Sequence, residues 1–183
     1  MKNYVLTPGP VPVPEFVMLE MAKPIIHHRT EEFEEIFYKA TQGLKKVFMT
    51  EEEVLILASS GTGAMDAAIC NTLSKGDTAL VVNGGKFGER WLKICKAYGV
   101  NTIEIKVEWG KAVSPKVIED ALKENKSIKA ILVQASETST GVEHPIEDIA
   151  KLTKSRDDII LIVDGITAVG AFPVEFDKWG IDI

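Results

Sequence analysis

The sequence has few residues of the kinds that build disulfide frameworks, metal centres and nucleic-acid surfaces. It contains two cysteines and three histidines in 183 residues, and no His or Cys lies at metal-ligand spacing from either cysteine. We therefore predict no metal site, and we expect Cys70 and Cys95 to be partly buried free thiols of helices in a reducing cytosol. Acidic residues outnumber basic ones by 27 to 21, which argues against nucleic acid as a partner because phosphate neutralisation needs clustered Lys and Arg.

Long apolar runs are also missing. No stretch is long enough to cross a membrane, and the first residues, MKNYVLTPGPVPVP, have no apolar segment of the secretory-signal type. We expect no membrane partner and a cytoplasmic location. What the chain does contain is an ordinary globular composition, 45% hydrophobic and 26% charged, which is enough for one sizeable core.

Short aliphatic runs alternate with helical patterns along most of the chain. A helix with an apolar stripe is predicted at 30–48, and the other predicted helices are at 63–73, 87–98, 114–124 and 146–154. Strands are predicted at 54–58, 78–82, 102–107, 130–134 and 159–163. This alternation predicts an α/β protein, with a three-layer α/β/α arrangement and a mainly parallel sheet covered on both faces.

Four loops follow predicted strands and are polar or contain glycine: 59–63, 83–88, 135–141 and 164–168. In open parallel sheets, ligands bind outside the carboxyl ends of the strands. We therefore look for the functional residues in these four loops. The last residues, WGIDI, are apolar and are typical of the approach to another strand rather than of a frayed terminus.

The first of these loops, SSGTG at 59–63, joins a predicted buried strand to a helix N-terminus. Such an end offers unpaired N–H groups and a partial positive charge, and glycines let an anion approach the backbone closely. The loop matches neither G-x-G-x-x-G nor a P-loop, since no lysine follows Gly63. Ser60 or Thr62 as a simple helix cap is the ordinary alternative.

The other loops contain groups that suit a flat, charged ring. Asp164 ends the strand IILIVD, where a cationic partner would be needed to hold a buried carboxylate ionised. Phe87 could stack on a heteroaromatic ring, and Thr138 and Ser139 could hydrogen-bond a phenolic oxygen. Pyridoxal 5′-phosphate is a ligand that has all four features: a phosphate, a flat ring, a pyridinium nitrogen and a phenolate. Taken singly, these residues have ordinary structural roles: Asp164 is commonly a strand-end cap, Phe87 a core aromatic and Thr138 a turn residue.

The sequence resembles the class V aminotransferases of the fold-type I pyridoxal-phosphate enzymes, particularly the serine–pyruvate and alanine–glyoxylate aminotransferase branch. The resemblance extends over nearly the whole chain. The matching segments are LTPGPVPVP (6–14), HHRTEEF (27–33), SSGTGAMDAA (59–68), NGGKFGER (83–90), ETSTGVEHP (137–145), LIVDGITAVGAFP (161–173) and WGIDI (179–183).

The resemblance implies a role for each matching site position. The cofactor phosphate is expected at Ser60, Gly61 and Thr62, and the substrate side is expected to be lined by Gly9. The remaining implied cofactor contacts are Phe87 stacked on the ring, Thr138 near the ring oxygen, Asp164 as the catalytic partner of the ring nitrogen, and Ile166. His28 and Arg29 match a family motif, for which a salt-bridging role and a substrate contact both stay open.

The implied activity is transfer of an amino group from a small amino acid, such as alanine or serine, to a 2-oxo acid, such as pyruvate or glyoxylate. A homodimer is implied for the full-length protein. Residues 1–30 correspond to an arm lining the substrate side, and residues 31–183 correspond to part of the large cofactor-binding domain. The chain ends before the family lysine that forms the Schiff base with the cofactor and before the small carboxyl-terminal domain, and Lys86 does not match that lysine. We therefore expect a fragment that is inactive alone.

Two other readings stay open at the sequence level. Cysteine desulfurase and phosphoserine aminotransferase share the fold and parts of the cofactor loops, although a desulfurase is expected to have His at the position of Phe87. A non-catalytic binding module that keeps the fold without the lysine is the alternative from another functional class.

Overall fold

The computed structural model describes residues 5–183 and contains six strands. They are β1 (Thr78–Asn83), β2 (Asn101–Lys106), β3 (Ile128–Gln134), β4 (Ser136–Glu137), β5 (Val142–Glu143) and β6 (Ile160–Asp164). Four of them form a parallel sheet in the order β2-β1-β3-β6, while β4 and β5 form a short antiparallel hairpin. The predicted α/β class with a parallel sheet is confirmed.

Seven helices are present in the described residues. They are α1 (Glu15–Met21), α2 (Glu31–Phe48), α3 (Gly61–Thr72), α4 (Lys86–Tyr98), α5 (Pro115–Glu124), α6 (Ile146–Ala150) and α7 (Phe176–Trp179). Their ends follow local signals: the Thr30 hydroxyl caps α2, Gly99 ends α4 with a φ of 70°, and Pro115 opens α5. None of these helices is both long and apolar enough to span a membrane.

The sheet is covered by helices on both faces, as the alternation of elements predicts. Along β1, Ala79 and Val81 point to the face on which α3 and α4 pack, where Trp91 is fully buried. Leu80 and Val82 point to the opposite face, which packs against α5 and α6. Both faces are apolar because each is shielded from water by helices.

The last residues of the chain pair with β6. The Ile183 carbonyl accepts from Val163 N–H at 2.8 Å, and Ile183 N–H donates to the Leu161 carbonyl at 3.2 Å. An Asp182 side-chain oxygen also accepts from Leu161 N–H at 2.8 Å. These bonds follow the parallel ladder pattern, so the prediction that WGIDI approaches another strand agrees with the structure.

The structure contradicts two predictions, the strand at 54–58 and the partial burial of Cys70. Residues 54–58 form no strand, and Leu55 is 81% exposed, because no neighbouring strand in the described residues pairs with this segment. The predicted helix with its apolar stripe is present as α2, but none of its residues is fully buried. Cys70 lies exposed on α3 rather than partly buried, whereas Cys95 is fully buried on α4.

Candidate active site

Three loops of the predicted site meet at one edge of the sheet. Since the strands are parallel, β1, β3 and β6 all end at this edge, and Gln134 at the end of β3 pairs directly with Asp164 at the end of β6. The turn at 84–85 and α4 follow β1, the β4–β5 hairpin follows β3, and the loop at 165–171 follows β6. The topology therefore brings the loops of Phe87, Thr138 and Asp164 to one edge.

The loop at 59–63 places the N-terminus of α3 near the loop after β6. A Cβ atom on Gly61 would lie 2.8 Å from Cδ1 of Ile166, so the glycine permits this close approach. Ser60 occupies the N-cap position, but its side chain makes no capping bond. In residues 5–183, the N–H groups of Gly61 and Thr62 have no hydrogen-bond partner.

Arg90 joins two of the predicted site residues, and the sequence reasoning did not identify it. Its guanidinium donates to the Thr62 hydroxyl at 2.9 Å and lies 4.7 Å from the centre of the Phe87 ring. Thr62 is therefore engaged by a cation rather than serving as a helix cap. Two signals were available: Arg90 ends the NGGKFGER segment, and it lies one helical turn after Phe87 on α4.

Asp164 is the predicted site residue with the most perturbed environment. Its Oδ1 accepts from Ile166 N–H at 3.1 Å, and its Oδ2 accepts no hydrogen bond from the described residues. Burial is the main cause that raises the pKa of this carboxyl, and the Glu137 carboxylate raises it further. Arg90 and the Ile166 N–H oppose the rise. The bond to Ile166 is the one a strand-end cap would make, while the free oxygen remains available for a cationic partner.

Thr138 lies in the turn of the β4–β5 hairpin. Its hydroxyl is 2.8 Å from the hydroxyl of Thr167, in the loop after β6. This contact links the β4–β5 hairpin to the loop that follows β6. Ser139, on the other side of the turn, bonds instead to Glu137 and to the backbone of α4.

Glu137 is a second residue that the sequence reasoning missed. It is fully buried, and its carboxylate accepts hydrogen bonds from Gly88 N–H at 3.1 Å and Ser139 N–H at 3.1 Å. Its position at the start of the ETSTG segment was the available signal. A buried carboxylate next to a turn indicates a local anchoring role, because burial without such partners is costly.

A cleft of about 450 Å³ opens beside β6 and reaches Gly61, Asp164 and Ile166. Most of its other lining residues are apolar, and Phe87 and Thr138 are not among them.

Gly9 lies exposed in the amino-terminal segment, and a Cβ atom there would meet nothing within 4 Å. Arg29 makes no ion pair with the described residues, and His28 stacks on His27 at 4.7 Å. The structure does not bring Gly9 into contact with the loops at the sheet edge.

Comparisons with known proteins identify relatives of the whole chain. The sequence profile described as aminotransferase class-V matches residues 15–183. The chain belongs to the class-V aminotransferase family. It is 45% identical to the soluble hydrogenase small subunit of Synechococcus sp. and 33% identical to L-aspartate–glyoxylate aminotransferase of Paracoccus denitrificans, with 100% of the chain covered in both comparisons. It covers 48% of the first relative and 47% of the second.

A solved family structure shows the same fold. The alanine–glyoxylate aminotransferase of Nostoc sp. superposes with a TM-score of 0.91 at 29% identity, over 96% of this chain and 46% of that chain. The chain therefore spans about half the length of the relatives it matches.

The described residues offer groups that suit pyridoxal phosphate, the cofactor of the family. The α3 N-terminus offers unpaired N–H groups and the Thr62 hydroxyl, with the Arg90 cation beside them, which suits a phosphate. The free oxygen of Asp164 suits a protonated ring nitrogen, because a cation there would relieve the cost of ionising a buried carboxylate. The residues present therefore fit the cofactor.

Proposed function

We propose that the protein containing this chain is a pyridoxal-phosphate-dependent aminotransferase. The observation that carries the proposal is the Asp164 carboxyl at the end of β6, with its raised pKa and one oxygen free. The α3 N-terminus, whose unpaired N–H groups suit an anion, lies nearby, since Gly61 approaches Ile166, two residues after Asp164. Membership of the class-V aminotransferase family supports the same conclusion.

Each residue has a distinct task in this proposal. Ser60, Gly61 and Thr62 hold the phosphate, and Phe87 lies against the ring. Thr138 binds the ring oxygen, Ile166 packs beside the cofactor, and Asp164 keeps a proton on the ring nitrogen. When bound, the cofactor supplies an electron sink for the carbon that loses its proton. The residues of this chain orient the cofactor ring, and Asp164 keeps its nitrogen protonated.

The proposed substrates are a small amino acid as donor and a 2-oxo acid as acceptor. The names of the glyoxylate aminotransferases support glyoxylate as an acceptor, while alanine, serine and aspartate are the donors to compare. We propose a cytoplasmic homodimer for the natural-length protein. We also propose that residues 1–30 form an arm on the substrate side with Gly9, and that residues 31–183 form part of the cofactor domain.

The test is a transamination assay of the natural-length protein. Each donor is incubated with glyoxylate or pyruvate in the presence of pyridoxal phosphate, and the product amino acid is quantified. We expect glycine from glyoxylate with at least one donor, and a loss of product in the Asp164→Asn variant. Absence of product with every pair, in a folded protein that binds the cofactor, would overturn the proposal.

The other candidates have less support from the residues. A desulfurase is disfavoured by Phe87, since a histidine is expected at that position. A hydrogenase role, which the name of the Synechococcus relative raises, has no counterpart in the described site, whose loop donors and carboxylate suit a phosphate-bearing ring. Phosphoserine aminotransferase differs from the proposal only in substrate, and phosphoserine is added to the same assay as a further donor.

A further inference from the structure

The buried carboxylate of Glu137 meets the beginning of α4, the helix that carries Phe87. Its Oε2 accepts from Gly88 N–H at 3.1 Å, and its Oε1 lies 3.4 Å from Phe87 N–H. The Ser139 hydroxyl donates to Oε1 at 2.6 Å and accepts from Lys86 N–H at 3.0 Å. Three N–H groups in the first turn of α4 are thus satisfied from the hairpin, which lies about 50 residues further along the chain.

Glu137 packs so closely on the turn before α4 that a side chain at position 85 would collide with it. A Cβ atom on Gly85 would lie 2.6 Å from the Glu137 carboxyl carbon and 2.7 Å from its Cγ. Gly85 has an extended backbone, with a φ of 172°, so close approach rather than a left-handed conformation explains the glycine. A negative charge at a helix N-terminus is also favourable, because it opposes the helix dipole.

We infer that Glu137 is a positioning residue, which anchors the first turn of α4 and thereby holds the Phe87 ring in place over the cofactor. The inference rests on the proposed function, since it concerns the residue assigned to the ring. Glu137 accepts hydrogen bonds from the backbone of residues 87, 88 and 139 and from the Ser139 hydroxyl. Glu137 can thus act on the cofactor by two routes, through the position of Phe87 and through its charge, which raises the pKa of Asp164. Only the first route depends on the Phe87 ring, so a Phe87 variant separates the two.

The first readout needs no cofactor. Amide hydrogen exchange of residues 85–90 is compared in the wild type, Glu137→Gln, and the matched control Glu143→Gln, which changes an exposed glutamate of the same hairpin. Glutamine has nearly the shape of glutamate, but its side-chain NH₂ group replaces one of the two oxygens that accept from the N–H groups of α4. We expect exchange at Phe87 and Gly88 to become roughly tenfold faster in Glu137→Gln and to stay unchanged in the control.

The second readout is the dissociation constant for pyridoxal phosphate in a double-mutant cycle with Phe87→Leu, using the natural-length protein. We expect Glu137→Gln to weaken binding by roughly tenfold alone and by less than about twofold when Phe87 is already leucine. Unchanged exchange at Phe87 and Gly88 would overturn the inference, as would additive effects on binding. A folded wild type that binds no pyridoxal phosphate would overturn the proposed function together with the inference, whereas additive effects in a binding protein overturn the inference alone.

Discussion

At the scale of single residues, burial decides what Asp164 and His144 can do. Asp164 has a raised pKa, so its ionised form is disfavoured in the fold until a cation lies against its free oxygen. His144 has a lowered pKa for the same reason, because burial disfavours its charged form. Its Nδ1 accepts from Val113 N–H at 3.1 Å, which is a bond that only the ring without a proton at Nδ1 can make.

Replacement of Asp164 by asparagine should separate cofactor binding from folding. A raised folded pKa means that the extra stability from Asp164 is present below its ordinary pKa of 3.8 and is lost as pH rises through the folded pKa. At pH 7 the neutral asparagine removes the cost of burying a charge, while its oxygen can still accept from Ile166 N–H. We expect a cofactor-free melting temperature that is equal or higher.

The same substitution should impair the proposed reaction. Loss of a charge-assisted hydrogen bond of this kind costs roughly 2–5 kcal/mol, so turnover should fall by about thirty- to several-thousand-fold. Single-turnover transamination and thermal melting of one preparation measure both effects. A normal rate in a destabilised protein would instead identify Asp164 as a strand-end cap.

His144 should make the stability of the protein depend on pH. Because its folded pKa lies below the ordinary value of 6.5, its contribution is present above pH 6.5 and is lost as pH falls through the folded pKa. One proton gives a slope of at most about 1.4 kcal/mol per pH unit. Urea unfolding between pH 7.5 and 5 should show this loss, and His144→Asn, whose oxygen can replace Nδ1 as the acceptor for Val113, should flatten it. Equal slopes in both proteins would contradict the assignment.

At the scale of elements, the glycines of two helices have opposite roles. Gly85 lies before α4 and is held against the pinned Glu137 side chain, whereas Gly43 lies on the exposed face of α2 with open space around it. Glycine is thus required at the first position. Gly43, by contrast, only lowers helix stability, because glycine has more conformational freedom to lose than alanine.

Alanine substitutions at these two glycines should therefore change the free energy of unfolding in opposite directions. Gly85→Ala forces either Glu137 or the turn to move and should lower the free energy of unfolding by roughly 1–3 kcal/mol. Gly43→Ala should raise it by roughly 0.5–1 kcal/mol. Chemical denaturation of the two variants beside the wild type measures both changes, and a loss of stability in Gly43→Ala would indicate that α2 is covered in solution.

At the scale of the whole molecule, the residues before α3 contribute little to the core. Phe16 is 71% exposed, Leu19 is 69% exposed and Met21 is 78% exposed on α1, and α2 also buries no residue. One fixed point is Asp177, which accepts from the Thr50 hydroxyl at 2.6 Å and from Glu51 N–H at 2.9 Å. The buried apolar side chains lie between Met65 and Ile181.

The 183-residue chain should associate with itself through this uncovered apolar surface. Exposed apolar area of this extent promotes association, so we expect large or polydisperse particles at micromolar concentration. Leu19→Glu combined with Met21→Gln should reduce the scattering without lowering the melting temperature, because neither side chain is buried. A monodisperse, well-folded wild-type monomer in light scattering would contradict the prediction.

Local sequence signals predicted much of the architecture. Period, capping residues and aliphatic runs predicted the four strands of the sheet and helices α2, α3, α4 and α5 to within a few residues. They missed α1, the β4–β5 hairpin and α7, which are short and lack a clear period. They also predicted a strand at 54–58, because an aliphatic run indicates burial but cannot show whether a pairing partner exists.

The sequence by itself determined the α/β class and the loops in which the candidate site lies, because alternating periodicity and chain direction dictate where parallel strands end. The tertiary structure alone decided which groups in those loops meet. Glu137 bonds to Gly88 across 49 residues and Arg90 to Thr62 across 28, distances over which no local pattern operates. The perturbed pKa of Asp164 has the same origin, since burial and the nearby Glu137 and Arg90 arise only when separate strands and loops pack together.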